Sequence, residues 1–180
     1  MSRPIIVLAA TLVAAGTLTA CGTMGQSAGA TAELAPTGAI SPNPTMGKVS
    51  FTPLDHGVRV SGEVRGLPPG TEHGFHIHEK GDCGDNGNAA GGHFNPSEKH
   101  HGLHNPAGAH AGDLPNLVVG KDGKAKATFT AKGATLGEGK GSLFGPDGTA
   151  LVIHADPDDE KTDPAGNSGA RIACGIVERK

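Results

Sequence analysis

The sequence predicts an all-β domain, a flattened antiparallel barrel or sandwich with two long functional loops. Three observations lead there. Short runs of alternating apolar and polar residues recur along the chain, separated by turns; 30 glycines and 13 prolines in 180 residues supply those turns. No stretch beyond the first twenty residues keeps a helical period. Two segments, about 81–113 and 155–169, show no period at all, yet the first alone holds half of the ten histidines. A loop that long inside a compact domain needs something to order it, and a metal would serve.

The first twenty residues stand apart from the fold. Arg3 is followed by an apolar run from Ile5 to Leu18, closed by Leu18-Thr19-Ala20-Cys21. Residues 1–20 read as a secretory signal peptide, too short for a stop-transfer span. Leu-Thr-Ala-Cys also resembles a bacterial lipobox, in which Cys21 becomes the lipidated first residue. The alternative is ordinary cleavage near Ala20 with a chance cysteine. Lipidation would place the protein in the cell envelope, periplasmic or otherwise extracytoplasmic, held to a membrane through Cys21. Residues 21–45 are Gly-, Ala-, Thr-, Ser- and Pro-rich with one charge, Glu33. They are expected to form a lipidated N-terminus and flexible linker reaching roughly 25–30 Å, with the folded domain spanning 46–180.

Cysteine usage agrees with export. Three cysteines leave an odd one to explain. Assigning Cys21 to lipid leaves Cys83 and Cys174, an even pair in an oxidising compartment. If they bond, the loop they close is worth roughly 4–5 kcal/mol in the chain-entropy model. The formal net charge is −3, and loss of Arg3 with the leader makes it one unit more negative. Such a balance gives no electrostatic case for binding nucleic acid.

The strands follow in order. Val49–Leu54 and Val58–Arg65 flank the turn Asp55-His56-Gly57 and make a hairpin with one wet face. After Gly66-Leu67-Pro68-Pro69-Gly70 comes a strand from about Glu72 to Glu79. In it Phe75 and Ile77 alternate with His76 and His78, so two apolar groups enter the core and two imidazoles share the other face. Two imidazoles on a rigid strand are half of a metal site. His93, His101, His110, Asp113 and His154 are the candidates for the other half. Strand patterns resume at Leu117–Val119, at Lys124–Thr130 beyond the Lys121-Asp122-Gly123 turn, at Ala150–His154 and at Arg171–Val177.

His76-Ile77-His78, Gly92-His93-Phe94-Asn95-Pro96, His101-Gly102, His110-Ala111-Gly112-Asp113, Val152-Ile153-His154 and Gly166–Gly175 together closely resemble the copper–zinc superoxide dismutases. The resemblance runs from about Gly47 to Val177. A lone His-x-His would be weak, but several motifs in one order are specific. The resemblance implies a Greek-key barrel and the disproportionation of superoxide to dioxygen and hydrogen peroxide. It implies a copper ion that cycles between Cu(II) and Cu(I), bound by His76, His78, His93 and His154. It also implies a zinc ion bound by His93, His101, His110 and Asp113, with the His93 ring bridging the two. That donor chemistry is sound, because imidazole suits both metals and three His with a carboxylate make a closed tetrahedral set.

Arg171 matches the family arginine beside copper, where a guanidinium attracts and orients the anion; pairing with loop acids is the alternative. Asp158 matches a carboxylate that links a copper histidine to a zinc histidine, with Asp156 and Asp159 as neighbouring competitors. Asp113 could instead cap a turn. His56, His100 and His104 match no ligand position and read as surface residues, and His73 reads as structural. The loop 156–169 carries five acids against Lys161, so steering by lysines is left to Lys80, Lys99 and Lys161 as candidates. A homodimer is left open. The activity reading competes with two others: a catalytically silent copper/zinc-buffering domain and a disulfide-held β interaction module. The second does not explain the histidines.

Overall fold

The computed structural model describes residues 29–38 and 44–180; residues 1–20, read above as a signal peptide, and Cys21 lie outside the described residues. Within them the strands are β1 (Ala30–Pro36), β2 (Met46–Leu54), β3 (Gly57–Arg65), β4 (Glu72–His78), β5 (Asp113–Val118), β6 (Lys124–Ala131), β7 (Ala150–His154), β8 (Arg171–Ile176) and β9 (Glu178–Arg179). The pairing order is β5-β4-β7-β8-β1-β2-β3-β6, with β9 also on β1. These strand pairs are all antiparallel. A bridge between Val119 and Ala125 draws β5 toward β6 and nearly closes the barrel. The crossovers that put β3 beside β6 and β4 beside β7 are of Greek-key type.

Alternation sorts the side chains as expected. Val49, Phe51, Val58, Val60, Val64, Phe75, Ile77, Leu151 and Ile153 are all wholly buried in one core. The expected hairpin forms, with Leu54 opposite Gly57 and Met46 opposite Arg65, so that Gly57 joins β3 and the turn narrows to Asp55-His56. On β4 the two imidazoles take the face opposite Phe75 and Ile77, and the loops bury that face too.

Three expectations need correction. The linker expected over 21–45 contains β1, so the domain begins at or before Ala30. Ala30, Ala32 and Leu34 alternate into the core, and β1 joins β2 to β8. Alanine is depleted in strands; here two neighbouring edges that need hydrogen-bond partners override the local preference. The long first loop is not wholly irregular, because Asp85–Ala90 winds into short 3₁₀ turns broken by left-handed backbone at Asn86 and Gly87. Finally, β5 starts at Asp113, ahead of the apolar run at Leu117.

Cys83 and Cys174 form a disulfide across 91 positions. It pins the first loop to β8, and Cys83 packs with Ala90, Ala150, Val152 and Cys174 in a small second cluster. That cluster sits on the outer side of β7 and β8, beside the histidine face. The histidine loop therefore rests on a rigid floor.

Candidate metal centre

Three strands and two loops supply the site. β4 carries His76 and His78, β7 ends in His154, and β8 begins with Arg171. The first loop returns across β4 by a bridge between His78 and His93, then delivers His101, His110 and Asp113. The second loop delivers Asp158. His76, His78, His93 and His154 bring one ligand atom each within 4.8 Å of one another. His93, His101, His110 and Asp113 do the same. His93 belongs to both groups.

Hydrogen bonds decide which nitrogen each ring offers. His78 donates Nδ1–H to the Gly91 carbonyl at 3.0 Å, and His154 donates Nδ1–H to the Gly169 carbonyl at 3.2 Å. A carbonyl only accepts, so both rings present an Nε2 lone pair. Those two lone pairs lie 3.3 Å apart, an arrangement that asks for a cation. His76 donates Nε2–H to Asp158 Oδ2 at 2.7 Å, which leaves its buried Nδ1 without a partner. His93 donates Nδ1–H to Asp113 Oδ1 at 2.8 Å, and its buried Nε2 also has no partner. Four imidazole lone pairs thus converge with no proton among them. That fits a metal better than any hydrogen-bonded arrangement.

The second group is built around one oxygen. Nδ1 of His93, His101 and His110 stand 2.8, 3.1 and 3.2 Å from Asp113 Oδ1. His110 Nδ1 makes no hydrogen bond despite that approach. Asp113 Oδ2 is occupied by the amides of Gly102 and His110 at 2.9 and 3.0 Å, which fixes Oδ1 among the three nitrogens. Asp113 is a member of the cluster, and the turn-capping alternative describes only its second oxygen.

Titration follows from this geometry. Burial pushes His78 well below its ordinary value. Burial also takes His93 down to about 4, against the pull of Asp113. His154 falls to about 3, through burial and the nearby His76. These rings stay neutral, the state a ligand needs. His101 behaves oppositely: burial works against its charge, but hydrogen bonds to Asp113 and Asp158 raise it to about 10. Those bonds outweigh burial for the two carboxylates as well, and hold both well below the usual range.

Asp158 bridges the two halves as expected, reaching His76 through Oδ2 and His101 Nε2 through Oδ1 at 3.0 Å. Neither Asp156 nor Asp159 does so; Asp159 bonds within its own loop. Asn116, which the sequence reading passed over, exchanges two 2.8 Å bonds with the Asp158 backbone. His73 is buried and donates Nδ1–H to the His154 carbonyl at 2.8 Å. His100 and His104, read as surface residues, are exposed but pair with Asp163 and Glu160 of the second loop at 2.5 and 2.7 Å. They tie the two loops together.

Arg171 lines an open cleft of about 700 Å³ whose wall also includes the buried His78, His93 and His154. Its guanidinium donates to the carbonyls of Gly87 and Gly91, both at 2.6 Å. It makes no ion pair with the loop acids among the described residues.

Comparison with known proteins agrees with this geometry. The family model described as copper/zinc superoxide dismutase (SODC) matches residues 45–177. A Cu-Zn superoxide dismutase 2 of Aquifex aeolicus (strain VF5) is 48% identical over 134 residues, covering 73% of this chain and 78% of that one. The Cu-Zn superoxide dismutase of Caulobacter vibrioides is 43% identical over 136 residues, with the same two coverages. Among solved structures, a superoxide dismutase-like protein from Bacillus subtilis superposes with a TM-score of 0.74 at 41% identity, covering 81% of this chain and 96% of that one. With matches of this extent over a domain whose two ligand clusters share one histidine, the chain belongs to the copper/zinc superoxide dismutase family.

Proposed function

We propose that this chain disproportionates superoxide to dioxygen and hydrogen peroxide outside the cytoplasm, tied to a membrane by a lipid on Cys21. In this reading copper is held by His76, His78, His93 and His154, and zinc by His93, His101, His110 and Asp113. Copper would supply the one-electron chemistry, while zinc fixes the bridge without changing oxidation state. The observation that carries the reading is that His93 Nε2 faces one cluster while Nδ1 faces the other.

The chain's own groups do the rest. Arg171 has spent two donors on carbonyls and keeps others for a small anion entering the cleft. Its charge raises the local concentration of that anion and orients it. His93 Nε2, buried beside the cleft and unpaired, is the atom at which a proton can be held and handed on. Asp158 keeps the rings of His76 and His101 turned so that Nδ1 faces inward in each case. The Cys83–Cys174 disulfide and the signal-like residues 1–20 suit an enzyme that protects the cell envelope.

Metal analysis of the purified chain beside a superoxide-consumption assay tests this directly. Copper and zinc together with activity are expected, and His93→Ala should lose or displace both metals. An unaltered copper spectrum in that variant would refute the shared ring. Both metals without activity would favour the buffering reading. Cys21→Ser should move the protein to the soluble fraction, and its retention in the membrane would disprove the lipid anchor.

A further inference from the structure

The peptide unit between Gly91 and Gly92 is gripped from both sides. Its carbonyl, on Gly91, accepts from Arg171 Nη2 at 2.6 Å and from His78 Nδ1 at 3.0 Å. Its N–H, on Gly92, donates to Glu79 Oε1 at 2.9 Å. A trans peptide is planar and its C=O and N–H point opposite ways. Glu79 on one edge and the His78–Arg171 pair on the other therefore hold a single rigid plate. The Glu79 backbone N–H also donates to the Gly92 carbonyl at 2.9 Å. Gly91 has φ 75°, and a Cβ on it would stand 2.6 Å from Glu79 Oε1. The carboxylate thus lies against the bare Cα, and a side chain at Gly91 would have to push it away from the Gly92 N–H as well as bear the positive φ.

We propose that Glu79 is a positioning residue for the anion-binding arginine and for the His78 ligand, acting through the Gly91–Gly92 peptide. A carboxylate on the N–H polarises the amide and makes its carbonyl a stronger acceptor. That carbonyl fixes the His78 tautomer and one arm of Arg171. The next residue is His93, so the same plate sets where the shared ring leaves the backbone. Glu79 itself lines the cleft. Its negative charge remains and opposes an anionic substrate, so what Glu79 contributes is alignment through the Gly92 N–H. This inference rests on the proposed roles of Arg171 and the histidine clusters.

Two variants separate position from charge. Glu79→Gln keeps an oxygen acceptor for Gly92 N–H and removes the charge; Glu79→Ala removes both. The metal-loaded proteins are compared by the Cu(II) electron paramagnetic resonance spectrum and by spectral titration with azide as the anion probe. Glu79→Ala should shift the Cu(II) spectrum and weaken azide binding several-fold, and Glu79→Gln should restore the wild-type spectrum with azide binding at least as tight. If both variants bind azide more tightly and keep the spectrum, Glu79 is only a repelling surface charge and the proposal is overturned. If Gln behaves as Ala in both measurements, the acceptor role is overturned as well. Failure of the broader reading looks different, because wild-type protein would then take up no copper or would hold both metals without consuming superoxide.

Discussion

Replacing Asp158 by Asn removes no volume and one capacity. When Nδ1 of His76 and of His101 faces a metal, both rings must donate Nε2–H, and the two oxygens of Asp158 accept them at 2.7 and 3.0 Å. Oδ1 also accepts the Glu160 amide at 2.6 Å. An asparagine has only one acceptor. Kept at the Oδ1 position, it serves His101 and Glu160 and turns its NH₂ toward the His76 N–H. Flipped, it serves His76 and faces two donors instead of one. The first arrangement has fewer clashes, so the copper-side cluster should suffer more. The side chain cannot swing away, because Gly166 backs it so closely that even a Cβ there would overlap Oδ1. Losing one hydrogen bond to a charged acceptor costs about 1.5–3 kcal/mol. That corresponds to about a 10- to 100-fold loss of copper affinity. Competition against a chromophoric chelator measures it, with zinc followed in the same experiment. Copper affinity within about twofold of wild type, or a loss confined to zinc, would refute the reasoning.

Three further outcomes are expected. In the metal-free protein His101 carries a proton up to about pH 10. Metal binding to its cluster should therefore release one proton near pH 8, and affinity should rise about tenfold per pH unit; calorimetry in buffers of different ionisation enthalpy reads both, and zero release contradicts the His101 assignment. Metal-free stability should peak near pH 6.5. Above it the raised His101 loses its advantage as pH climbs toward 10. Below it the unfolded chain protonates the three depressed histidines, His78, His93 and His154, while the native chain does not, down to about 4 for His93 and 3 for His154; thermal melts across pH 4–10 test the maximum. A chain started at Met46 should fail to fold as a monomer, since it would bare the edges of β2 and β8 and remove the buried Leu34. A monomeric, cooperative melt for that shortened chain would show that β1 is dispensable.

The ligands were legible because chemistry restricts them: few residue types bind these metals, and alternation on a strand tells which face they take. His76 and His78 are such a case, and so is the pair Cys83–Cys174, found by counting. β1 was not legible for the opposite reason. Ala30, Ala32 and Leu34 form a strand because β2 and β8 each lack a partner there, and that need is a property of the assembled sheet. The same holds for Asn116, whose amide matches the Asp158 backbone 42 positions away, and for His100 and His104, whose partners lie in the other loop. Glu79 shows the limit most plainly. It follows His78 directly and enters the sequence analysis only as the end of a strand; its bond to Gly92 exists only once the disulfide and the small cluster under it have folded the loop back over β4. Residues that touch a metal announce themselves by type. Residues that aim them are defined by which backbone groups the fold leaves in need of a partner, and the same accounting that recovered β1 leads to the carbonyl of Gly91 and the amide of Gly92.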